Sequence, residues 1–164
     1  MARDIDNVDF DPQATAEIAT AVAFEGYTFK DFARITDDEM EAAYSVAFNM
    51  VNQGQFEEAE RLLSWRAGLD QYEPKYLIGI GVCRQQLRLY PGAIDAFAAA
   101  GVLEVDNPIP ALRAAECYLA LGQTEPARSG LLAAVHWSGE KPEHAATRQR
   151  AAALLDALER RKEV

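Results

Sequence analysis

The sequence predicts an all-α protein in which three tandem helical hairpins stack into a short right-handed solenoid, with one helix before them and one after. Residues 76–86 are apolar on nearly all sides, and a turn near Arg88 leads into an amphipathic segment. The apolar positions of that segment are Ala93, Ile94, Phe97 and Ala100. One such hairpin cannot bury both of its faces, so it needs similar hairpins on either side.

Four columns of residues repeat at a spacing of 34 and supply those neighbours. The columns are Ala59, Ala93 and Ala127; Ala47, Gly81 and Ala115; Leu63, Phe97 and Leu131; and Pro74, Pro108 and Pro142. A 34-residue period with small residues where paired helices touch is typical of the tetratricopeptide repeat (TPR). We therefore predict three TPR hairpins, each made of a helix A and a helix B.

Capping residues and turns set the predicted boundaries. Thr36 and Glu39 form a capping box that begins the first hairpin. The predicted helices are 37–52 and 56–69 in the first hairpin, 108–121 and 124–136 in the third, and a last helix from Pro142 to Lys162, while the second hairpin runs from Pro74 to about Leu103. We predict one structural domain, with an N-terminal segment 1–35, repeats within 36–137 (about 40–73, 74–107 and 108–141) and a C-terminal cap 138–164.

The N-terminal segment is expected to hold a loose tail, one helix and one short turn. The helix begins at Asp11 and Pro12 and ends at Gly26, and the short turn covers 28–34. Its apolar stripe is Ala14, Ile18, Ala21 and Val22. Two interpretations stay open, because the stripe could pack on the first repeat or form the contact of a homodimer.

The last helix is expected to cap the third hairpin. A helical array needs such an element, apolar on one face and polar on the other, over its final hairpin. The apolar stripe is predicted at Ala145, Ala152, Leu155 and Leu158, and the polar face carries Arg148, Arg150, Arg160 and Arg161.

Composition excludes several classes of function. The net charge of −10 argues against nucleic-acid binding, which needs clustered Lys and Arg. No apolar run approaches the roughly 18 residues of a membrane span, and the first residues are charged, so we expect a cytoplasmic bacterial protein without membrane insertion. Cys83 and Cys117 occupy equivalent repeat positions and are expected to be reduced packing residues.

Residues with catalytic or metal-binding spacing are missing from the sequence. His136 and His144 have no Cys or carboxylate at ligand spacing, and we find no nucleophile elbow or phosphate loop. We therefore expect a binding protein, not an enzyme, with no metal site and no cofactor.

The A helices carry more apolar residues than one core face needs. In the first hairpin the core face is predicted at Ala43, Val46, Ala47 and Met50. The remaining apolar positions would face the concave groove, namely Tyr44, Phe48 and Val51, then Ile78 and Val82, then Ile109, Leu112 and Leu119. Polar groove residues Asn52, Gln85, Gln86 and Glu116 could bond the backbone of an extended peptide. Either a client peptide fills this groove, or the N-terminal segment or final helix closes it.

Four stretches resemble the class II type III secretion chaperones, which escort translocator proteins in pathogenic bacteria. They are GYTFKD at 26–31, EAAYSVAFN at 41–49, YLIGIGVCRQ at 76–85 and AAECYL at 114–119. The sequence departs from this family at Arg88, where the turn usually has Gly, and at Arg66, where helix B usually has a small apolar residue.

The resemblance implies a small acidic chaperone that binds hydrophobic translocators before export. A client segment with spaced Pro and Leu would lie in the groove, with Tyr44 and Phe48 as groove aromatics and Ile78 and Val82 continuing the floor. Lys75 is included among the predicted groove residues, and the N-terminal helix would mediate a homodimer. The alternative is a TPR scaffold or regulatory module, such as a coactivator that binds a transcriptional regulator.

Overall fold

All regular elements in the described residues, 12–24 and 27–162 of a computed structural model, are helices. They are α1 (Pro12–Phe24), α2 (Phe29–Ala33), α3 (Asp37–Asn52), α4 (Phe56–Leu69), α5 (Pro74–Gln86), α6 (Tyr90–Leu103), α7 (Pro108–Ala120), α8 (Thr124–Ser138) and α9 (Ala145–Lys162), with a 3₁₀ turn at Pro142–His144 before α9. The expected caps at Asp11 and Gly26 and the expected loose tail 1–10 lie outside the described residues. None of the helices described is long and apolar enough to cross a membrane.

The helices form three consecutive hairpins, α3 with α4, α5 with α6, and α7 with α8. Each hairpin packs on the next through α4 against α5 and α6 against α7, and α9 covers α8. This arrangement confirms the predicted all-α hairpin solenoid. The end of the chain differs slightly from the prediction. Helix α8 continues to Ser138, and Pro142 begins a 3₁₀ turn that precedes α9.

Side-chain caps begin the A helices where the sequence indicates. The Thr36 N–H donates to Glu39 Oε2 at 2.9 Å, and the Glu39 N–H donates to Thr36 Oγ1 at 3.2 Å, which completes the predicted capping box. Before α7, Asn107 Oδ1 accepts from the Ile109 N–H at 2.9 Å. Pro108 then stands in the first turn, where its missing N–H costs no helical bond.

The turn between helices A and B has the same left-handed backbone in all three hairpins. Gly54, Arg88 and Gly122 lie 34 residues apart and have φ angles of 78°, 61° and 72°. After each one, an N–H donates to the carbonyl five residues earlier, at 2.8–2.9 Å, as in a Schellman cap. Arg88 therefore occupies a glycine position and carries backbone strain that the other two turns avoid.

Arg88→Gly is expected to raise the free energy of unfolding by about 0.5–1 kcal/mol, because glycine adopts this φ without strain. The reverse change Gly122→Arg should lower it, since a Cβ at Gly122 would meet no atom within 4 Å and backbone strain alone is added. Thermal unfolding measures both. A lower melting temperature for Arg88→Gly would show that the arginine side chain stabilises the turn.

The repeated columns form the interior of the solenoid. Ala59, Ala93 and Ala127 are fully buried where helix B meets helix A. Leu63, Phe97 and Leu131 are buried as well, in three neighbouring clusters. The core thus follows the 34-residue period.

Gly81 makes room for the largest member of these columns. A Cβ placed on Gly81 would lie 2.5 Å from Phe97 Cε1, well inside contact distance. The equivalent residues Ala47 and Ala115 stand in hairpins that have Leu63 and Leu131 in place of the phenylalanine. The second hairpin therefore combines the smallest residue of one column with the largest of the other.

Three expectations about the core are wrong. Val46 was predicted in the core but is 47% exposed, and Met40, six residues earlier, is buried instead. On α9, Ala145 and Ala152 are exposed, while Ala151, Leu154, Leu155 and Leu158 face the third hairpin. Leu155 and Leu158 lie on the predicted stripe, whereas Ala151 is buried in place of its neighbour Ala152.

Arg66 is buried at a position where the family resemblance implies a small apolar residue. Its side chain is 2% exposed and donates to the Glu39 carbonyl and to Met40 Sδ. The Arg66 guanidinium also lies 5.2 Å from the Trp65 ring centroid. These contacts connect helix B of the first hairpin with the start of α3.

Both cysteines are free and buried, as predicted. Burial raises the pKa of the Cys83 and Cys117 thiols to about 11. The thiols are therefore protonated at neutral pH and unreactive in the folded protein.

Candidate functional site

An apolar pocket opens on the concave face between α3, α4 and α5. Its volume is about 190 Å³. Its lining residues are Tyr44, Phe48, Val51, Leu63, Ile78, Gly79 and Val82. The structure therefore brings together the five apolar groove residues predicted from the first two hairpins. Neither α1 nor α9 lines this pocket within the described chain, although the sequence left open that one of them closes the groove.

Gly79 and Leu63 are pocket residues that the sequence reasoning missed. A Cβ on Gly79 would lie 2.8 Å from Leu63 Cδ1, so any larger residue would displace Leu63 or narrow the floor. A lone glycine inside an apolar helix costs stability and marks a close approach. Gly79 carries that signal, but unlike Gly81 it belongs to no column of small residues that repeats every 34 positions.

Phe48 is the most exposed large apolar side chain of the pocket. It is 55% exposed, while Val51, Ile78 and Val82 are partly buried. An aromatic ring that stands open beside an apolar floor can contribute binding energy without first leaving a core.

Tyr44 links the pocket to a charged group at its edge. Its ring lies 5.9 Å from the Tyr76 ring, and Lys75 Nζ lies 5.1 Å from the Tyr44 centroid and 5.5 Å from that of Tyr76. Lys75 Nζ also donates to Glu41 Oε2 at 2.9 Å. This hydrogen bond raises the pKa of Lys75, and burial raises the pKa of both tyrosines, so all three keep their protons at neutral pH.

A second cavity, of about 370 Å³, adjoins this edge. It is lined by Glu41, Tyr44, Ser45, Phe48 and Asn49. Tyr44 and Phe48 are thus shared by both cavities. Lys75 contacts Glu41 and Tyr44, two of the residues that line this second cavity, but does not line the cavity itself.

The third hairpin contributes less open apolar surface than expected. Leu112 is only 7% exposed and packs in the core cluster of α7, α8 and α9, so most of its side chain is buried and does not face the groove. Ile109 is 37% exposed and lines a cavity of about 330 Å³ with Leu112 and Arg150 of α9. Leu119 is partly buried and lines another, of about 440 Å³.

The predicted polar groove residues have different surroundings. Asn52 is exposed as the last residue of α3, and Gln85 and Gln86 line the 440 Å³ cavity. Glu116 was expected to be available to a peptide backbone, but Arg113, Arg150 and Gln85 already donate to its carboxylate. Sequence reasoning missed both arginines as concave-face residues. In the described part of the chain, no three His, Cys, Asp or Glu side chains come together as a metal site would require.

The predicted dimer residues Ile18, Ala21 and Val22 are partly buried on α1. Ile18 and Ala21 line a wide cleft of about 730 Å³ with Tyr27 and Phe32. The Tyr72 hydroxyl donates to the Val22 carbonyl at 3.2 Å, which connects α1 with the segment after α4. Helix α1 therefore touches its own first repeat and still leaves an apolar cleft open.

Known proteins resemble this chain in amino-acid sequence. No model of a protein family matches the chain. The low calcium response locus protein H of Yersinia pseudotuberculosis is 32% identical over 139 residues, which cover 85% of this chain and 83% of the relative.

Solved structures share the fold. PcrH of Pseudomonas aeruginosa, in complex with the chaperone binding region of PopD, is similar with a TM-score of 0.76 and 33% identity over 78% of this chain and 96% of that one. The Yersinia enterocolitica type III secretion chaperone SycD, in complex with a peptide of the translocator YopD, gives 0.75 and 33% over 78% and 98%. An alternative dimer of SycD gives 0.77 and 33% over 79% and 98%.

Identity above 30% over most of both chains, together with the shared solenoid of helical hairpins, shows a closer relationship than a common TPR fold alone. The chain belongs to the class II type III secretion chaperones, the family of SycD and PcrH.

Proposed function

We propose that this protein is a cytoplasmic chaperone that binds hydrophobic translocators of a type III secretion system and keeps them soluble before export. The observation that carries the proposal is the apolar pocket, which stands open on the concave face with Phe48 at its rim. It is supported by family membership and by the translocator peptide bound to SycD. In this proposal the protein binds its client and catalyses no reaction.

The client segment is extended and carries spaced Pro and Leu residues. Its apolar side chains enter the pocket between Tyr44, Phe48, Ile78 and Val82. Each buried side chain gains about 1.5–3 kcal/mol, and ordering each residue of the segment costs about 1–2 kcal/mol. A short peptide therefore binds modestly, and the rest of the client adds contacts outside the pocket.

Co-expression with candidate translocators tests this proposal. A protein with long apolar segments should be insoluble alone and should form a soluble complex that co-purifies with the chaperone. A translocator that stays insoluble and does not co-purify would contradict it. Recovery of only a folded transcriptional regulator would instead favour the scaffold or coactivator alternative, which the bound translocator peptide of SycD does not favour.

We also propose that the cleft of α1 forms a homodimer contact through Ile18, Ala21 and Val22. The cleft already includes two aromatic side chains, Tyr27 and Phe32, that are about half exposed. A second copy of α1 would cover these apolar groups in a twofold arrangement. The alternative dimer of SycD supports self-association within the family.

Ile18→Asp is expected to shift the protein from dimer to monomer, because a carboxylate in an apolar contact costs several kcal/mol, about 100-fold or more in dissociation constant. Sedimentation velocity measures the mass. Ala19→Asp is the matched control, since Ala19 is an exposed neighbour on α1. An unchanged mass for Ile18→Asp would restrict α1 to packing on its own repeat.

A further inference from the structure

Where α5, α7 and α9 meet, the concave face is charged and not apolar. Glu116 Oε1 accepts from Arg150 Nε at 3.0 Å, and Oε2 accepts from Arg113 Nη1 and Gln85 Nε2 at 3.4 Å. The 440 Å³ cavity lies beside this group and is lined by all four side chains. We call these four residues the charged end of the groove.

The charged end has one surplus positive charge. Two guanidinium groups face a single carboxylate, and no further acidic residue lines the 440 Å³ cavity within the described chain. Glu116 is largely covered, at 15% side-chain exposure, whereas Arg113 and Arg150 are 42% and 62% exposed. An incoming ligand therefore meets the arginines before it meets the carboxylate.

Gln85 provides a second, independent indication of a ligand. Its Nε2 must face Glu116, because a carboxylate only accepts hydrogen bonds, and this fixes the direction of the amide. Gln85 Oε1 is then buried without a hydrogen-bond partner among the described residues. A buried acceptor of this kind costs free energy unless a donor pairs with it. Because the oxygen is covered, the Gln85 side chain must rotate toward the cavity before a ligand N–H can donate to it.

The charged end lies next to the apolar pocket. The pocket lies between α3 and α5 and the charged end lies between α5 and α7, so the two are about one helix spacing apart, roughly 8–10 Å. An extended chain advances about 3.3 Å per residue. One client segment can therefore reach both places with side chains that are roughly two to four residues apart.

We propose that the charged end is a second subsite of the client groove, where Arg113 and Arg150 bind an acidic side chain of the client and Gln85 Oε1 accepts from its backbone N–H. This rests on the proposed translocator-binding function and adds a rule for client choice. Segments with Asp or Glu about two to four residues from the apolar anchor are preferred over neutral ones. Helix α9, predicted only as a cap, then takes part in recognition.

Peptide pairs measure this preference directly. The probes are capped 12-residue peptides with one Leu anchor flanked by Pro, and with Glu or Gln two, three or four residues to either side. Fluorescence polarisation with the full-length protein at low salt gives the ratio of affinities. At one spacing, Glu should bind about 3-fold tighter than Gln, the range of a partly exposed ion pair, and salt should reduce the ratio.

Charge variants of α9 show whether Arg150 is responsible. Arg150→Gln leaves no surplus charge, so the Glu-to-Gln ratio should fall to about 1, and Arg150→Glu should bring it below 1. Arg160→Gln is the matched control on the same helix, because Arg160 donates to the Asp156 carbonyl of α9 itself and does not line the 440 Å³ cavity, and it should keep the ratio near 3. Melting curves check that each variant is folded.

Each outcome separates the subsite from the proposed function. If both peptides of every pair bind with equal affinity, the subsite is overturned while groove binding stands. If the ratio is the same in Arg150→Gln as in the parent protein, the peptide Glu binds at another place and the assignment to Arg150 is wrong. If no peptide binds, with or without Glu, the apolar pocket is not a client site and both proposals fail.

Discussion

Replacing Tyr44 and Phe48 together by alanine is expected to weaken client binding by about 30-fold to 1000-fold, which corresponds to roughly 2–4 kcal/mol. Both rings line the apolar pocket and the neighbouring cavity, so the double variant removes the aromatic wall shared by the two. Calorimetry with a translocator segment measures the loss.

The two single variants should differ in stability. Phe48 is more than half exposed, so Phe48→Ala should leave the melting temperature almost unchanged. Tyr44 packs partly on the first core cluster and against Tyr76, so Tyr44→Ala should cost about 1–2 kcal/mol of folding free energy. Val46→Ala is the matched control on α3, exposed but outside the pocket, and should bind normally. Equal binding by Phe48→Ala and the parent protein would exclude Phe48 from the client site.

Ala93→Glu is expected to destabilise the fold by about 4 kcal/mol or more, because it places an unpaired carboxylate between the second and third hairpins. Ala93 has no exposed surface and belongs to a cluster with Phe97 and Cys117. The melting temperature should fall by roughly 10 °C in a chain of this size.

Ala99→Glu provides the comparison for this change. Ala99 is exposed on the same helix, so the added carboxylate remains in water and the melting temperature should stay within about 2 °C. Circular dichroism during heating measures both variants. A stable Ala93→Glu protein would contradict the 34-residue register on which the hairpins are aligned.

The repeats were predictable because their signals are local and periodic. Thr36 and Glu39 mark a helix start within four residues, and Pro74 and Pro108 mark two more at the repeat spacing. Each signal is independent of what the helix later touches. The α3 and α4 boundaries predicted from them agree with the structure residue for residue.

The faces of the end helices were harder to predict because packing decides them. Val46 has an apolar side chain on α3, but no described hairpin precedes α3 to cover it, so it remains exposed. On α9, packing against the third hairpin buries Ala151 and leaves Ala152 exposed.

The apolar residues of the groove could be predicted from the sequence, whereas the charged end could not. Tyr44, Phe48, Ile78 and Val82 come from helices inside the repeats, where one register places every side chain. Arg150 lies on α9, a helix predicted only as a cap, and donates to Glu116, which stands one repeat spacing of 34 residues earlier. Only the three-dimensional packing of α9 on the third hairpin could reveal that contact.

The close fit of Gly81 and Phe97 limits how the repeats can exchange material during evolution. Unequal recombination between similar repeats is one way in which such arrays gain or lose units. A crossover between positions 81 and 97 would join Gly81 to a leucine, leaving a void, or join an alanine to Phe97, forcing a clash. Both hybrids would be less stable than either parent. Crossovers that keep each A helix with its own B helix avoid this loss, so the hairpin, and not the single helix, is the unit that such an array can inherit.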